Sequence, residues 1–563
     1  MNEEVNEFDR MLHAAWGRLT RGMSPAALIL AWADWAIHMA AQPERCTKAW
    51  TDQPPWLAAD RNAEHDPRLR GDEWERWPFD LYRRAFETGA RWLHGMTDSV
   101  PGVDRHHAQL VAFMARQWHA MGSPANFPAT NPQVLQRTVA TAGLNLLKGA
   151  ANWIDDARRS ALELPPAGAE AFEPGREVAA TPGKVILRNR LIELIQYTPV
   201  TATVHAEPVL IVSAWIMKYY VLDLSAHNSL IRFLVGQGHT VFAVSWKNPD
   251  ASDRDFGMSD YLKLGFMASL DAIGAVLPRR RIHAVGYCLG GTLLAIGAAA
   301  MARDHDGRLA TLTLLAAQTD FTEPGELSLF IDESQLAFLE DVMSRQGYLS
   351  ARRMAGAFQL LRAQDLVWTP MVRNYLLGER MPMTDLMAWN ADGTRMPYRM
   401  HADYLRSLFL DNALAEGHYL VDNRPVSLKD IEVPVFALGT RTDHVAPWRS
   451  VYKFNLLCDA DITFVLTDGG HNAGIVSEPG HARRSYCVLQ RARNSPYVGP
   501  DDFLLQATHV EGSWWPLLQR WLADRSGPRR KPPRIGSTRH GLAPICDAPG
   551  TYVLEGRHPS RDA

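Results

Sequence analysis

The 563-residue sequence has few cysteines: five, at Cys46, Cys288, Cys458, Cys487 and Cys546, with no CxxC pair among them. An odd, dispersed set argues against a disulfide framework and a structural zinc site and fits a reducing compartment, so a cytoplasmic location is expected. A charge imbalance is also missing. The net charge is -3 and charged residues make up 21% of the chain, which gives no electrostatic footprint for nucleic acid. Nor is there a long uninterrupted apolar run. The richest early window, SPAALILAWADWAIHMAAQP (24–43), carries Asp34 and His38 inside it and ends in proline. A packed amphipathic helix starting at Ser24 and Pro25 is expected there, and no transmembrane segment. The opening MNEEVNEFDR is acidic where a secretory signal needs a basic stretch and then an apolar one, so no export signal is expected. GxxxxGK[ST], HExxH and a GxGxxG after the first strands are all lacking. Nucleotide, nicotinamide and zinc chemistry therefore have no support, and neither a cofactor nor a metal is expected. No internal repeat or low-complexity tract is visible.

What is present suits a large protein of two domains, since one core rarely grows to this length and hydrophobic residues reach 46%. Residues 1–175 read as helical segments broken by proline and glycine, ending in the linker ELPPAGAEAFEPG (163–175). From 176 to 563 short apolar runs alternate with helix-length segments. PVLIVSA (208–214), TVFAVSW (240–246), RIHAVGY (281–287), LATLTLLAA (309–317), VPVFALGT (433–440) and ITFVLTDGG (462–470) read as buried strands. Such alternation predicts an α/β fold with a mostly parallel sheet and helices on both faces. The rhythm stops over about 320–430, a helical, aromatic stretch expected to form an inserted cap over the site. The basic, proline-rich RSGPRRKPPR (525–534) opens a C-terminal tail of about 525–563 and reads as a solvated strap.

The chemistry centres on AVGYCLGGTL (284–293). A glycine-rich turn between a strand and a helix is the setting of a nucleophile elbow, as in the α/β-hydrolase fold, and here it presents Cys288. At that helix start the unpaired amides favour negative charge. A thiol nucleophile needs a base, and the base an orienting acid, both from later strand ends. Asp443 in GTRTDHVAPW and His471 in LTDGGHNAG stand in those places and in that order, so Cys288, Asp443 and His471 are the expected catalytic triad. Asp468 is the rival acid. His444 is a candidate to orient the acid or touch substrate. An oxyanion hole would use the amide of Leu289 and one from the SAWIMKYY loop (213–220), with Ile216 as the candidate.

Cysteine suits a particular reaction. A serine would turn a thioester into a more stable oxyester, whereas a cysteine exchanges one thioester for another at nearly equal energy and keeps the acyl group activated. Together with GYCLGG and TRTDHVAPW, further stretches are similar to the poly(3-hydroxyalkanoate) synthases: SPANFPATNPQVL (123–135), TPGKVILRNRLIELIQYTP (181–199), MKYYVLDLSAHNSLIRFLVGQGHTVFAVSWKNPD (217–250), MAWNADGTRMP (387–397) and GSWWPLLQRWL (512–522). The chain resembles that family from about 57 to 555, most closely its single-subunit, short-chain type. The resemblance implies an enzyme that polymerises (R)-3-hydroxyacyl-CoA with release of coenzyme A, the thioester being substrate rather than cofactor. It also implies a polyester granule surface and a homodimer as partners. The family's cysteine, aspartate and histidine fall on Cys288, Asp443 and His471. The aspartate is implied to help activate the incoming 3-hydroxyl, and Trp389 to belong to the region of site and cap, with core packing as its plain alternative. The competing readings are a cysteine-triad hydrolase, of the dienelactone hydrolase or polyester depolymerase kind, and an idle granule-coat protein that kept the fold. The acid comes 155 residues after the nucleophile, which leaves room for a cap that small hydrolases lack.

Overall fold

The computed structural model describes residues 23–51 and 66–557, so the acidic opening MNEEVNEFDR and the last residues of the tail lie outside the described residues. The chain forms two compact units. Of the described residues, the first comprises 23–51, 66–167, 332–342 and 353–383, and the second 168–331, 343–352 and 384–557. Two pieces of the stretch expected to form one cap over 320–430 thus belong to the first unit, and the rest to the second.

The first unit is helical. Pro25–Ala40 forms a helix as its sequence predicts, with the Ser24 hydroxyl accepting from the Ala27 amide. Helices Phe79–Thr97, Arg105–Met121 and Leu144–Ala161 follow. The inserted segment packs on the last of these through polar side chains. Asn145 Nδ2 donates to Leu376 O, and Arg380 pairs with Asp155 and Asp156, each at 2.9 Å. Gly149 permits this closeness, since a Cβ there would lie 1.7 Å from the Tyr375 carbonyl oxygen. His107 bonds Asp34 at 2.8 Å and is half-buried.

The second unit is built on one large sheet. Its strands are β1 Gly183–Arg188, β2 Ile192–Tyr197, β3 Val209–Val212, β4 Val241–Trp246, β5 Ile282–Tyr287 and β6 Leu309–Leu315. They continue as β7 Val435–Thr440, β8 Ile462–Thr467, β9 Ser485–Arg491, β10 Thr508–Glu511 and β11 Cys546–Asp547. The spatial order is β10, β9, β8, β7, β6, β5, β3, β4, β2, β1, β11. The six strands legible as apolar runs are the central ones, β3 to β8, and they pair in parallel. The expectation of a mostly parallel sheet needs correction. Both flanks are antiparallel, with β2 against β4 and β1, β1 against β11, and β9 against β8 and β10. The flank strands escape an apolar-run criterion because they carry polar residues. In β2 the fully buried Glu193 is held by Arg188 at 2.6 Å and by the Thr551 hydroxyl at 2.9 Å. The RSGPRRKPPR stretch runs as a strap along this unit, with a bridge between Arg530 and Val204.

Candidate active site

β5 ends at Tyr287 and the helix Leu289–Arg303 begins one residue later, so Cys288 must turn the chain within a single position. Its φ of 53° and ψ of -125° lie where a residue with a side chain is strained. The turn is held by Cys288 N donating to Leu315 O at 2.9 Å, and by the amides of Gly291 and Thr292, which donate to Cys288 O. The flanking glycines answer close contacts. A Cβ on Gly286 would lie 2.4 Å from Gly291 Cα, and one on Gly290 2.1 Å from Val212 O. The elbow is therefore seated on the ends of β3 and β5, with the half-buried thiol at the helix start.

Asp443 lies three residues past the end of β7, and its side chain is fully buried. One carboxylate oxygen accepts from the amides of Val445 and Ala446 at 2.9 and 2.8 Å. The other accepts from the Thr440 hydroxyl at 2.7 Å and meets His471 Nδ1 at 2.8 Å. Burial pushes this carboxyl up, but the His471 charge and these donors outweigh it and hold it below the usual range. His471 follows β8. Burial pushes its imidazole down, yet Asp443 and then Cys288, each by charge and hydrogen bond, carry it well above the ordinary histidine value. The ring thus sits between two groups that both favour its protonated form. Cys288, His471 and Asp443 are brought together as a nucleophile, base and acid arrangement requires.

The rival acid is engaged elsewhere: Asp468 accepts from the Ser485 hydroxyl and lies 3.4 Å from Arg441 Nε. His444 is exposed, and its carbonyl backs against Gly325. Leu289 is the first residue of the helix, where an N–H has no intrahelical acceptor. In the loop after β3, Ile216 O accepts from the Thr394 amide at 3.2 Å, the Thr394 hydroxyl bonds Trp215 O, and Met217 bridges to Gly393. Trp389 is buried in the core, its indole N–H donating to Lys218 O at 2.8 Å. Trp389 and Thr394 therefore brace that loop. Sequence reasoning missed Thr440, whose only signal is its place at a strand end. It also missed Tyr404, whose phenol feels the charge of Cys288. Burial, then the charge of Cys288, pushes its phenol well up. Its ring packs with Phe321 and Phe409. Among the described residues no cluster of three or more His, Cys, Asp or Glu side chains is placed to hold a metal ion.

Comparison with known proteins bears on this arrangement. A poly(3-hydroxyalkanoate) polymerase of Methylorubrum extorquens is 39% identical over 94% of this chain and 85% of its own length. The chain belongs to the poly(3-hydroxyalkanoate) polymerase family. Polymerase subunits of Rhizobium etli and Cupriavidus necator are 38% and 36% identical, over 89% and 87% of this chain and 78% and 83% of theirs. Models of the poly-beta-hydroxybutyrate polymerase N-terminus match residues 3–45 and 65–234, and the alpha/beta hydrolase fold matches 207–478. As a member of this polymerase family the chain is an acyltransferase-type synthase with an α/β-hydrolase fold. No helix among the described residues is long and apolar enough to cross a membrane.

Proposed function

We propose that the protein polymerises (R)-3-hydroxyacyl units from coenzyme A thioesters, 3-hydroxybutyryl-CoA foremost, through an acyl thioester on Cys288. The observation that carries the proposal is the continuous contact from the strained Cys288 through His471 to the buried Asp443, in a chain whose relatives are named polymerases. In the first half-reaction His471 takes the thiol proton and the Cys288 sulfur attacks the thioester carbonyl. The carbon to sulfur bond of coenzyme A then breaks, and its thiolate leaves with the proton from His471. The oxygen of the tetrahedral intermediate is met by the Leu289 amide and by a donor from the loop after β3, for which Ile216 is the candidate. In the second half-reaction the 3-hydroxyl of another unit loses its proton to the His471 and Asp443 pair. Its oxygen attacks the acyl-cysteine carbonyl, so an ester bond forms and the Cys288 sulfur is released. Because thioester exchange is nearly isoenergetic, the acyl group stays activated between the halves, which is what elongation requires.

The enzyme works in the cytoplasm on the surface of its own polyester granule and acts as a homodimer, as its family resemblance implies. The test is purified protein with (R)-3-hydroxybutyryl-CoA, following coenzyme A release and separating sedimentable polyester from soluble acid. Polymer supports the proposal. Soluble 3-hydroxybutyrate as the sole product would make the protein a thioester hydrolase instead.

A further inference from the structure

Tyr287 closes β5 directly before Cys288, and Asn472 directly follows His471. The Tyr287 phenol is buried, and its hydroxyl donates to Asn472 Oδ1 at 2.5 Å, with His471 O 3.5 Å away. The same ring lies 5.5 Å from the His471 imidazole, tilted by 35°. The residue before the nucleophile thus grips the residue after the base. We propose that Tyr287 and Asn472 form a positioning strut that sets the His471 imidazole against the Cys288 thiol. The proposal rests on the reading of Cys288 and His471 as nucleophile and base.

The need for such a strut follows from how His471 is held. Asp443 holds one side of the ring and Cys288 the other, but neither contact sets where the loop that carries His471 lies against the strand that carries Cys288. The loop has glycine at 469, 470 and 474, which add little stiffness of their own. Its other ties reach different elements. Thr442 N bonds Gly469 O at 3.1 Å, and Trp514 Nε1 bonds Gly474 O at 3.0 Å. Those bonds anchor the flanks of the loop to the acid turn and to Trp514 at the start of the helix Trp515–Ala523, whereas the Tyr287 phenol ties it to the strand that carries Cys288. A phenylalanine would fill the same space and leave the Asn472 oxygen without this donor. Burial, then the Cys288 and Asp443 charges, pushes the phenol well above its ordinary value, so it remains a donor throughout the working range. Proton transfer and attack both depend steeply on such placement, since misplacement by about 1 Å costs on the order of a hundredfold in rate.

The test compares Tyr287→Phe, Asn472→Ala, Asn472→Asp and the Tyr287→Phe/Asn472→Ala pair in the full-length protein with (R)-3-hydroxybutyryl-CoA. The rate of alkylation of Cys288 by iodoacetamide across pH serves as a readout free of substrate. Each of Tyr287→Phe and Asn472→Ala is expected to lower kcat about tenfold, the effect of losing one buried hydrogen bond. KM and the denaturation midpoint stay close to wild type, and the alkylation pH profile moves. The double variant is no slower than the slower single one, and Asn472→Asp, which keeps an acceptor, recovers rate lost in Asn472→Ala. Full kcat in Tyr287→Phe, or independent losses that multiply in the double variant, would overturn the strut. His471→Gln separates the two ideas: if it kept full activity, the assignment of the base would fail, whatever the strut variants did.

Discussion

At the residue scale the proposed reaction depends on groups that must change protonation or bonding, so conservative substitutions are the informative ones. Cys288→Ala is expected to abolish coenzyme A release and Cys288→Ser to leave a trace at most, a loss on the order of 10⁴-fold or more in kcat. His471→Gln should be nearly as slow. Asp443→Asn is expected to acylate Cys288 but elongate poorly, which rapid-quench measurement of the first coenzyme A released, set against polymer yield, would show. Asp468→Asn should leave both steps intact, because its carboxylate serves Ser485 and Arg441. Normal polymerisation by Asp443→Asn together with loss in Asp468→Asn would reverse the two assignments. Much of this constellation was legible in the sequence, since an elbow motif followed by an acid and a histidine at strand ends fixes order and spacing. Contacts between side chains far apart in sequence were not: nothing in DGGHNAG or VGYCLGG announces that Tyr287 reaches Asn472.

At the scale of elements, the legible strands were those buried on both faces, β3 to β8, because apolar runs record exactly that environment. The flank strands were illegible because their buried polar groups find partners far away in sequence, as Glu193 does in Thr551 and Tyr552. The sequence presents the cap as one insert because its helical, aromatic composition is uniform. Its division between two compact units rests on side chains such as Arg380, whose pairing with Asp155 and Asp156 no local pattern reveals. The elbow offers a prediction at this scale. Gly290→Ala would place a Cβ 2.1 Å from Val212 O, so strand or helix must shift. A destabilisation of about 1 to 3 kcal/mol is expected in chemical denaturation, together with a loss of activity larger than the loss of folded protein explains.

At the scale of the whole molecule, pH acts on stability through buried histidines. Burial pushes His239 and His283 down to about 3 and His401 down to about 4. Their neutral forms are favoured in the folded chain, so the unfolded chain binds more protons as pH falls below the ordinary 6.5. Their contribution is complete above 6.5 and is lost as pH drops toward the folded values. Each such histidine should cost about 1.4 kcal/mol per pH unit in that window. Denaturation midpoints measured between pH 7 and pH 4 should therefore fall steeply, and His239→Gln, which removes one titrating group, should flatten the slope. Catalysis by the whole chain comes down to whether the growing polyester rides on one sulfur. The most direct test is to quench the enzyme early in its reaction with (R)-3-hydroxybutyryl-CoA and map the adduct by peptide mass spectrometry. A hydroxylamine-labile ladder of 3-hydroxybutyryl units is expected on the peptide that carries Cys288. Active polymerisation with that peptide unmodified, or the ladder on another residue, would contradict the proposed role of Cys288.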